Sequence, residues 1–204
     1  MATWYVALIG DAVASRRLSP RARSGLQDAL GNSLKEVNRR WRRSVAAGFA
    51  VTLGDQFQGL LTDPAPVWDI SHWLRAALPQ VDWVVAVGRG PIHTALGRIA
   101  PETDGPCFHR AREALDEAKR RRLVLAFAGF GAALDGLAEY YSALYWGWTP
   151  RQRRAACLLR VAPPAEVAAS LEIGRSAVSH LVRRMSWRLV ATGDMVFRRR
   201  LGGA

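Results

Sequence analysis

Between residues 4 and 128, short apolar runs alternate with longer stretches in which apolar residues recur every three or four positions. That alternation of two periods restricts the chain to folds that layer helices on a sheet. Residues 4–10 form an apolar run of strand length. Ser19-Pro20 then supplies an N-cap serine and a proline at the first helical position. Leu26, Leu30, Leu34, Val37 and Trp41 give the helix that follows one apolar face, and Arg23, Gln27, Lys35 and the arginines at 39, 40, 42 and 43 give it a polar one. Residues 48–54 and 56–61 read as a hairpin around Asp55. Residues 66–78 read as a helix with Trp68, Ile70, Trp73, Leu74 and Leu78 apolar, stopped by Pro79, and residues 82–90 as a valine-rich strand. Pro106 opens a helix to about Arg122. Residues 123–128 read as a strand and 131–146 as a helix. The resulting order, β-α-β-β-α-β-α-β, predicts an α+β fold. The expected architecture is a ferredoxin-like or palm-type mixed sheet with its helices on one face.

Thr149-Pro150 repeats the N-cap and proline signal and marks a new segment. A helix over 150–160, with Ala155, Ala156, Leu158 and Leu159 inward, would brace a helix-turn-helix over 165–184. There Val167, Ala168 and Leu171 face inward on the first helix, Ile173 plugs the turn, and Val178, Leu181 and Val182 face inward on the second. Arg175, Ser176, Ser179, His180, Arg183 and Arg184 are left on the outer face, where small and basic residues suit reading of the DNA major groove. The expected division is a palm-like α+β domain over 1–146 and an all-α helix-turn-helix domain over 147–204.

Charge follows that division. The net charge is +12, and arginine supplies it almost alone, since Lys35 and Lys119 are the only lysines. From Thr149 onward there are 11 arginines against three acids, so about a quarter of the chain holds two thirds of the excess. An anionic partner for this segment is expected, with DNA first and a membrane surface second. Hydrophobic residues make up 50% of the chain, which argues against disorder. The most apolar stretch, residues 123–148, contains Asp135 and Glu139, so no membrane insertion is expected. Met1 to Tyr5 lacks the basic start of a signal peptide. Cys107 and Cys157 are far apart and lack metal-ligand spacing, so reduced thiols in a cytoplasmic protein are expected.

Two aspartates end apolar runs: Asp11 in Leu8-Ile-Gly-Asp11, and Asp55 in Thr52-Leu-Gly-Asp55. Brought together at neighbouring strand ends, two carboxylates make a hard oxygen site suited to Mg²⁺ and to a nucleotide's phosphates. Taken singly, each would be a turn residue. Ser15, Arg16 and Arg17 lie between Asp11 and the helix start at Pro20, where backbone N–H groups and guanidinium forks suit a phosphate. The alternative for the two arginines is a solvated basic turn. His93 and Asp104 read as structural and turn residues. Gly88-Arg-Gly90 lacks the third glycine of a dinucleotide fingerprint.

Four blocks together resemble the SatD family: residues 9–16 around Asp11, Gly54-Asp55-Gln-Phe57-Gln-Gly59, Gly88-Arg-Gly90-Pro-Ile-His93-Thr, and 104–112, Asp-Gly-Pro-Cys-Phe-His-Arg-Ala-Arg. The helix-turn-helix completes the resemblance, which spans essentially the whole chain. The N-terminal part also resembles the palm of class III nucleotidyl cyclases. That likeness implies Asp11 and Asp55 as the metal aspartates and Arg112 as the counterpart of a transition-state arginine. The chain departs from the cyclase pattern at Val51, where a purine-reading lysine is expected, and at Phe108, where an asparagine is expected.

The expected function is a DNA-binding, regulatory protein whose palm-like domain holds a metal or nucleotide. The alternative is a divergent Mg²⁺-dependent nucleotidyl cyclase or phosphoryl-transfer enzyme whose tail localises it or makes a homodimer. A protein-contact module with neither activity is the third reading.

Overall fold

The computed structural model describes residues 3–202. Its elements follow the predicted order: β1 (Tyr5–Ala12), α1 (Pro20–Arg40), β2 (Val45–Leu53), β3 (Gln56–Leu61), α2 (Val67–Ala77), β4 (Trp83–Gly90), α3 (Pro106–Arg121), β5 (Leu125–Ala128) and α4 (Ala132–Gly147). Four further helices complete the chain: α5 (Pro150–Leu158), α6 (Pro164–Ser170), α7 (Arg175–Arg184) and α8 (Trp187–Gly202). The five strands form one mixed sheet in the order β2-β3-β1-β4-β5. β1 runs antiparallel to both β3 and β4, β2 antiparallel to β3, and β4 parallel to β5. The α+β class and the mixed ferredoxin-like sheet are as expected from the sequence.

The placement of helices on one face is corrected. Val6, Leu8 and Ala12 of β1 belong to a core shared with Leu26, Leu30, Leu34 and Val37 of α1 and with Trp68 and Leu74 of α2. Ala7 and Ile9 belong to a second core, with Phe108, Ala111, Leu115 and Ala118 of α3. Helices therefore cover both faces. A strand buried on both faces reads as an unbroken apolar run rather than an alternation, which is how Val6-Ala-Leu-Ile9 is written. The small residues of α3 let it lie close to the sheet. A Cβ on Gly88 of β4 would sit 2.1 Å from the Cys107 carbonyl oxygen, so Gly88 serves helix-sheet contact.

The helix starts anticipated from sequence are present. The Ser19 hydroxyl accepts from the Ala22 N–H, and Thr149 and Gln152 form a reciprocal capping box at α5. Leu158, Val167, Ala168 and Val178 make a small third core, flanked by Leu171, Ile173 and Val182. α6 and α7 meet around it, joined by residues 171–174.

α8 leaves that small core and packs into the main one. Phe197 lies stacked on Trp68, with ring centroids 3.9 Å apart and planes 13° apart. The same region buries several polar groups, most with a partner, although the Trp68 indole N–H has none. Burial, reinforced by Arg160 and Arg75, holds His72 well below its ordinary pKa, so the ring is neutral. Its Nδ1 faces the Trp68 carbonyl at 2.9 Å and must carry the proton, which leaves Nε2 to accept from the Tyr141 hydroxyl at 2.9 Å. Arg160 and Asp194, almost wholly buried, form a two-bond pair at 2.8 and 2.9 Å. On the rim, Arg198 bonds Asp69 of α2 at 2.7 Å. Arg198, Arg199 and Arg200 are all exposed, but among the described residues only Arg198 is paired with an acid.

Phe197→Ala removes a buried ring from this junction and is expected to cost about 3–5 kcal/mol. Urea unfolding of the full chain measures it. A loss below about 1 kcal/mol, the range of surface substitutions, would mean that α8 is peripheral to the core.

Candidate metal and phosphate site

The register of β1 on β3 builds the site. Asp11 pairs directly with Gln56, the first residue of β3, and Asp55 is the residue before it. The two aspartates thus stand at neighbouring strand ends, as the sequence suggests. Asp55 occupies the Gly54-Asp55 connection of the β2–β3 hairpin, where Gly54 has φ +61°, a conformation glycine adopts without strain. The β2–β3 register shifts between Val51 and Leu53, next to this turn. Such bulges re-aim the residues beside them.

Alternation along β1 directs Asp11 to the face covered by α3. There its Oδ2 meets the Lys119 ammonium at 2.9 Å, and both side chains are partly exposed. Asp55 is in a different condition. Its Oδ2 is buried and has no hydrogen-bond partner. A buried carboxylate oxygen without a donor is costly unless something positive meets it. A hard divalent cation would suit such an oxygen, and Asp11 lies at the neighbouring strand end. No cluster of three or more His, Cys, Asp or Glu side chains that could hold a metal ion occurs among the described residues.

After Asp11 the chain turns sharply. Ala14 takes φ 57° and ψ 24°, a left-handed conformation that costs a non-glycine residue on the order of 1 kcal/mol. Ser15, Arg16 and Arg17 follow as one 3₁₀ turn leading into α1. Ser15 is buried, and Arg16 and Arg17 are exposed and form no ion pair among the described residues. The two guanidinium groups are open to an anionic ligand.

Residues of the cyclase-like pattern divide into two groups. Arg112 is exposed on α3 and makes no ion pair with Glu113, Asp116 or any other described acid. Phe108 is buried among the residues between α3 and the sheet, so it contributes packing and no polar contact. Val51 is exposed on β2. His93 is exposed, and its backbone N–H donates to the Asp104 carbonyl at 2.9 Å, while the Asp104 carboxylate meets His109 at 3.0 Å. These three residues fold a loop. Burial pushes the Cys107 thiol up to about 11 and raises Cys157 also, so neither is a ready nucleophile.

Arg175, Ser176, Ser179, His180, Arg183 and Arg184 are all exposed on α7, as the helical pattern predicts. Arg183 contacts His180 at 3.2 Å, and none of these side chains pairs with a described acid.

Lys119 is the site residue that sequence reasoning missed. A signal existed: the buried positions Ala111, Leu115 and Ala118 fix the sheet-facing side of α3, and Lys119 borders it. The ammonium now offsets the Asp11 charge, so a metal must compete with it. A partly exposed pair is worth about 0.2–1 kcal/mol. Lys119→Met is therefore expected to lower the Mg²⁺ concentration needed to raise the melting temperature, roughly two- to fivefold. A titration of melting temperature against Mg²⁺ measures it, and an unchanged midpoint would mean that Asp11 takes no part in holding the ion.

Comparison with known proteins places the site in context. The structure resembles that of a bacterial light-regulated adenylyl cyclase, with a TM-score of 0.46 and 11% identity over 62% of this chain and 76% of the other. It also resembles the monomeric guanylyl cyclase domain of the RhoGC fusion protein from the aquatic fungus Blastocladiella emersonii, with a TM-score of 0.43 and 15% identity over 56% and 75%. No curated protein sequence matches the chain. The SatD family profile matches residues 5–122, from the first residue of β1 to the residue after α3, and so spans both aspartates, Ser15 to Arg17, Arg112 and Lys119. By that match over more than half its length, the chain belongs to the SatD family.

Proposed function

We propose that the palm-like sheet binds a divalent cation, Mg²⁺ first, together with the phosphates of a nucleotide, and that its chemistry is phosphoryl or nucleotidyl transfer. The observation that carries this reading is the pairing of Asp11 with Gln56, which sets Asp55 beside it with a buried, unpartnered carboxylate oxygen. Asp11 and Asp55 would hold the ion. When bound, such an ion neutralises phosphate oxygens and favours displacement at phosphorus. Ser15, Arg16 and Arg17 would position the phosphates at the entrance to α1. Arg112, exposed and unpaired on α3, is the candidate for offsetting charge at the reacting group. With Val51 and Phe108 in place of polar residues, little is left to read a purine, so recognition falls on the phosphates and the metal.

The expected result is a rise in melting temperature with Mg²⁺ and a nucleoside triphosphate together. A ligand at one hundred times its dissociation constant adds about 2.7 kcal/mol to the folded state. Asp11→Asn combined with Asp55→Asn should abolish the shift and leave the far-ultraviolet circular dichroism unchanged. The same shift in the double variant would make both aspartates structural.

A second reading concerns the tail, and one observation favours it. Arg175, Ser176, Ser179, His180, Arg183 and Arg184 form an exposed set on α7 without acidic partners. We infer that this helix contacts DNA, with α6 and α7 acting as a helix-turn-helix and giving the protein a regulatory role. The full chain is the right material for the test, because α8 is anchored in the main core. Arg175→Ala should cost about 1–3 kcal/mol at a preferred site and relax sequence preference. Replacing Arg199 and Arg200 should weaken binding to every sequence and flatten its salt dependence. Fluorescence anisotropy across a salt series separates the two. Absence of binding at about 50 mM salt, where counterion release favours association, would leave a protein-contact role for α7.

A further inference from the structure

A polar crevice of about 230 Å³ opens between the α2–β4 connection and the start of α5. Its walls come from α2, residues 79–82, α4 and α5, none of which supplies the Asp11–Asp55 site. Three guanidinium groups line it: Arg75, Arg153 and Arg154. The one carboxylate in the lining, Asp82, is already engaged. Its Oδ1 accepts from the Tyr145 hydroxyl at 2.6 Å and lies 3.5 Å from Arg153 Nε.

The other two arginines have no acid. Arg75 is 4% exposed and donates to the Trp83 and Val124 carbonyls, both at 2.6 Å, while its Nε is buried without a partner. Arg154 donates to the Ala76 carbonyl at 2.6 Å. Burial lowers the Arg154 pKa, and no carboxylate offsets it. Carbonyl oxygens satisfy donors but do not neutralise charge. A buried guanidinium without a carboxylate leaves its charge uncompensated, and an anion entering the crevice would offset it.

We propose that this crevice binds a phosphoryl group, with Arg154 and Arg153 as its direct holders and Arg75 as the buried charge behind them. Several features select that chemistry. Guanidinium forks match the oxygens of a phosphoryl group with paired hydrogen bonds. The first turn of α5, opened by Pro150, lines the crevice and adds the positive end of a helix. The volume exceeds that of the bare ion, and Pro79, Val81 and Tyr145 give it apolar walls, so a small phosphomonoester fits as well as free phosphate. An occupant would bridge α2 and the residues before β4 to α5, one of the places where the sheet domain meets the helical tail.

Isothermal titration of the full chain with sodium phosphate and, separately, with ribose 5-phosphate tests the proposal. It is done at constant ionic strength with chelator present, so that no metal site contributes. Binding by wild type is expected, with at least tenfold weakening in Arg154→Gln. Gln80→Glu places a carboxylate at the exposed lip without touching the core and should weaken binding similarly, which keeps the test valid if Arg154→Gln folds poorly. Asp11→Asn with Asp55→Asn should bind as wild type does, so this site and the palm site stand or fall separately. Arg183→Gln on α7 should also bind normally. Tighter binding of the sugar phosphate than of free phosphate assigns a phosphomonoester, and equal binding assigns phosphate itself. Absence of binding by wild type, or equal binding by wild type and Gln80→Glu, would overturn the assignment.

Discussion

The register of β1 against its two neighbours is the constraint on which the site depends. β1 is the central strand, antiparallel to β3 on one side and to β4 on the other. A shift of one residue would turn every side chain of β1 to the opposite face. Asp11 would then leave the α3 face and enter the core that α1 and α2 share. Both faces are buried, so both resist the slip: Val6 and Leu8 fill one core, Ala7 and Ile9 the other. The carboxylate at the end of this strand is therefore held by apolar packing along its whole length. Asp55 is held differently, by the geometry of a two-residue hairpin connection and the bulge beside it.

A second dependence runs from the sheet to the tail. Trp68, His72, Tyr141 and Phe197 form an aromatic junction of α2, α4 and α8. Arg160 of the α5–α6 connection enters it and pairs with Asp194 of α8. Removing one partner of such a pair costs about 3–5 kcal/mol, because the other is left buried and uncompensated. Exchange of both for apolar residues is often neutral, so what the pair contributes is a fixed seating for α8. Arginine suits the position because its planar fork meets the two carboxylate oxygens while its face lies over the Trp68, Tyr141 and Trp187 rings. The arginine bias of the composition thus has a structural component alongside any affinity for nucleic acid.

Local signals were legible in the sequence and remote pairings were not. Ser19-Pro20 and Thr149-Pro150 cap α1 and α5 because capping is decided within four residues. Order and class followed from periodicity. Asp11 and Asp55 could be seen as strand-end carboxylates, and their adjacency required the remote pairing of β1 with β3, which the β2–β3 hairpin does not itself dictate. The second layer of helices was legible in the unbroken run Val6-Ala-Leu-Ile9, which marks a strand buried on both faces, but the element order alone does not assign α3 to the opposite face. Lys119 beside Asp11, and Arg160 beside Asp194, join positions 108 and 34 residues apart. No periodicity encodes such distances. Arg75 was equally hidden: on α2 it reads as a polar-face residue, yet Trp83 and Val124 carbonyls at a strand start hold it in the interior.

The arrangement of charge differs between the two proposed sites. At the palm, carboxylates dominate, and cations are secondary: Lys119 meets Asp11, while the Asp55 oxygen has no cation at all. The proposed polyphosphate would need a metal ion there, since bare phosphate would face two negative charges. At the α2–α5 crevice the balance is reversed, with Arg75 and Arg154 lacking acids and Asp82 already engaged. A phosphoryl group there needs no metal. On the two proposals, removal of divalent ions would abolish phosphate binding at the palm and leave binding at the crevice unchanged. The exposed arginines of α7 form a third basic surface, where salt would set the strength of the proposed DNA contact. Metal, burial and ionic strength are thus three independent physical handles on one basic chain.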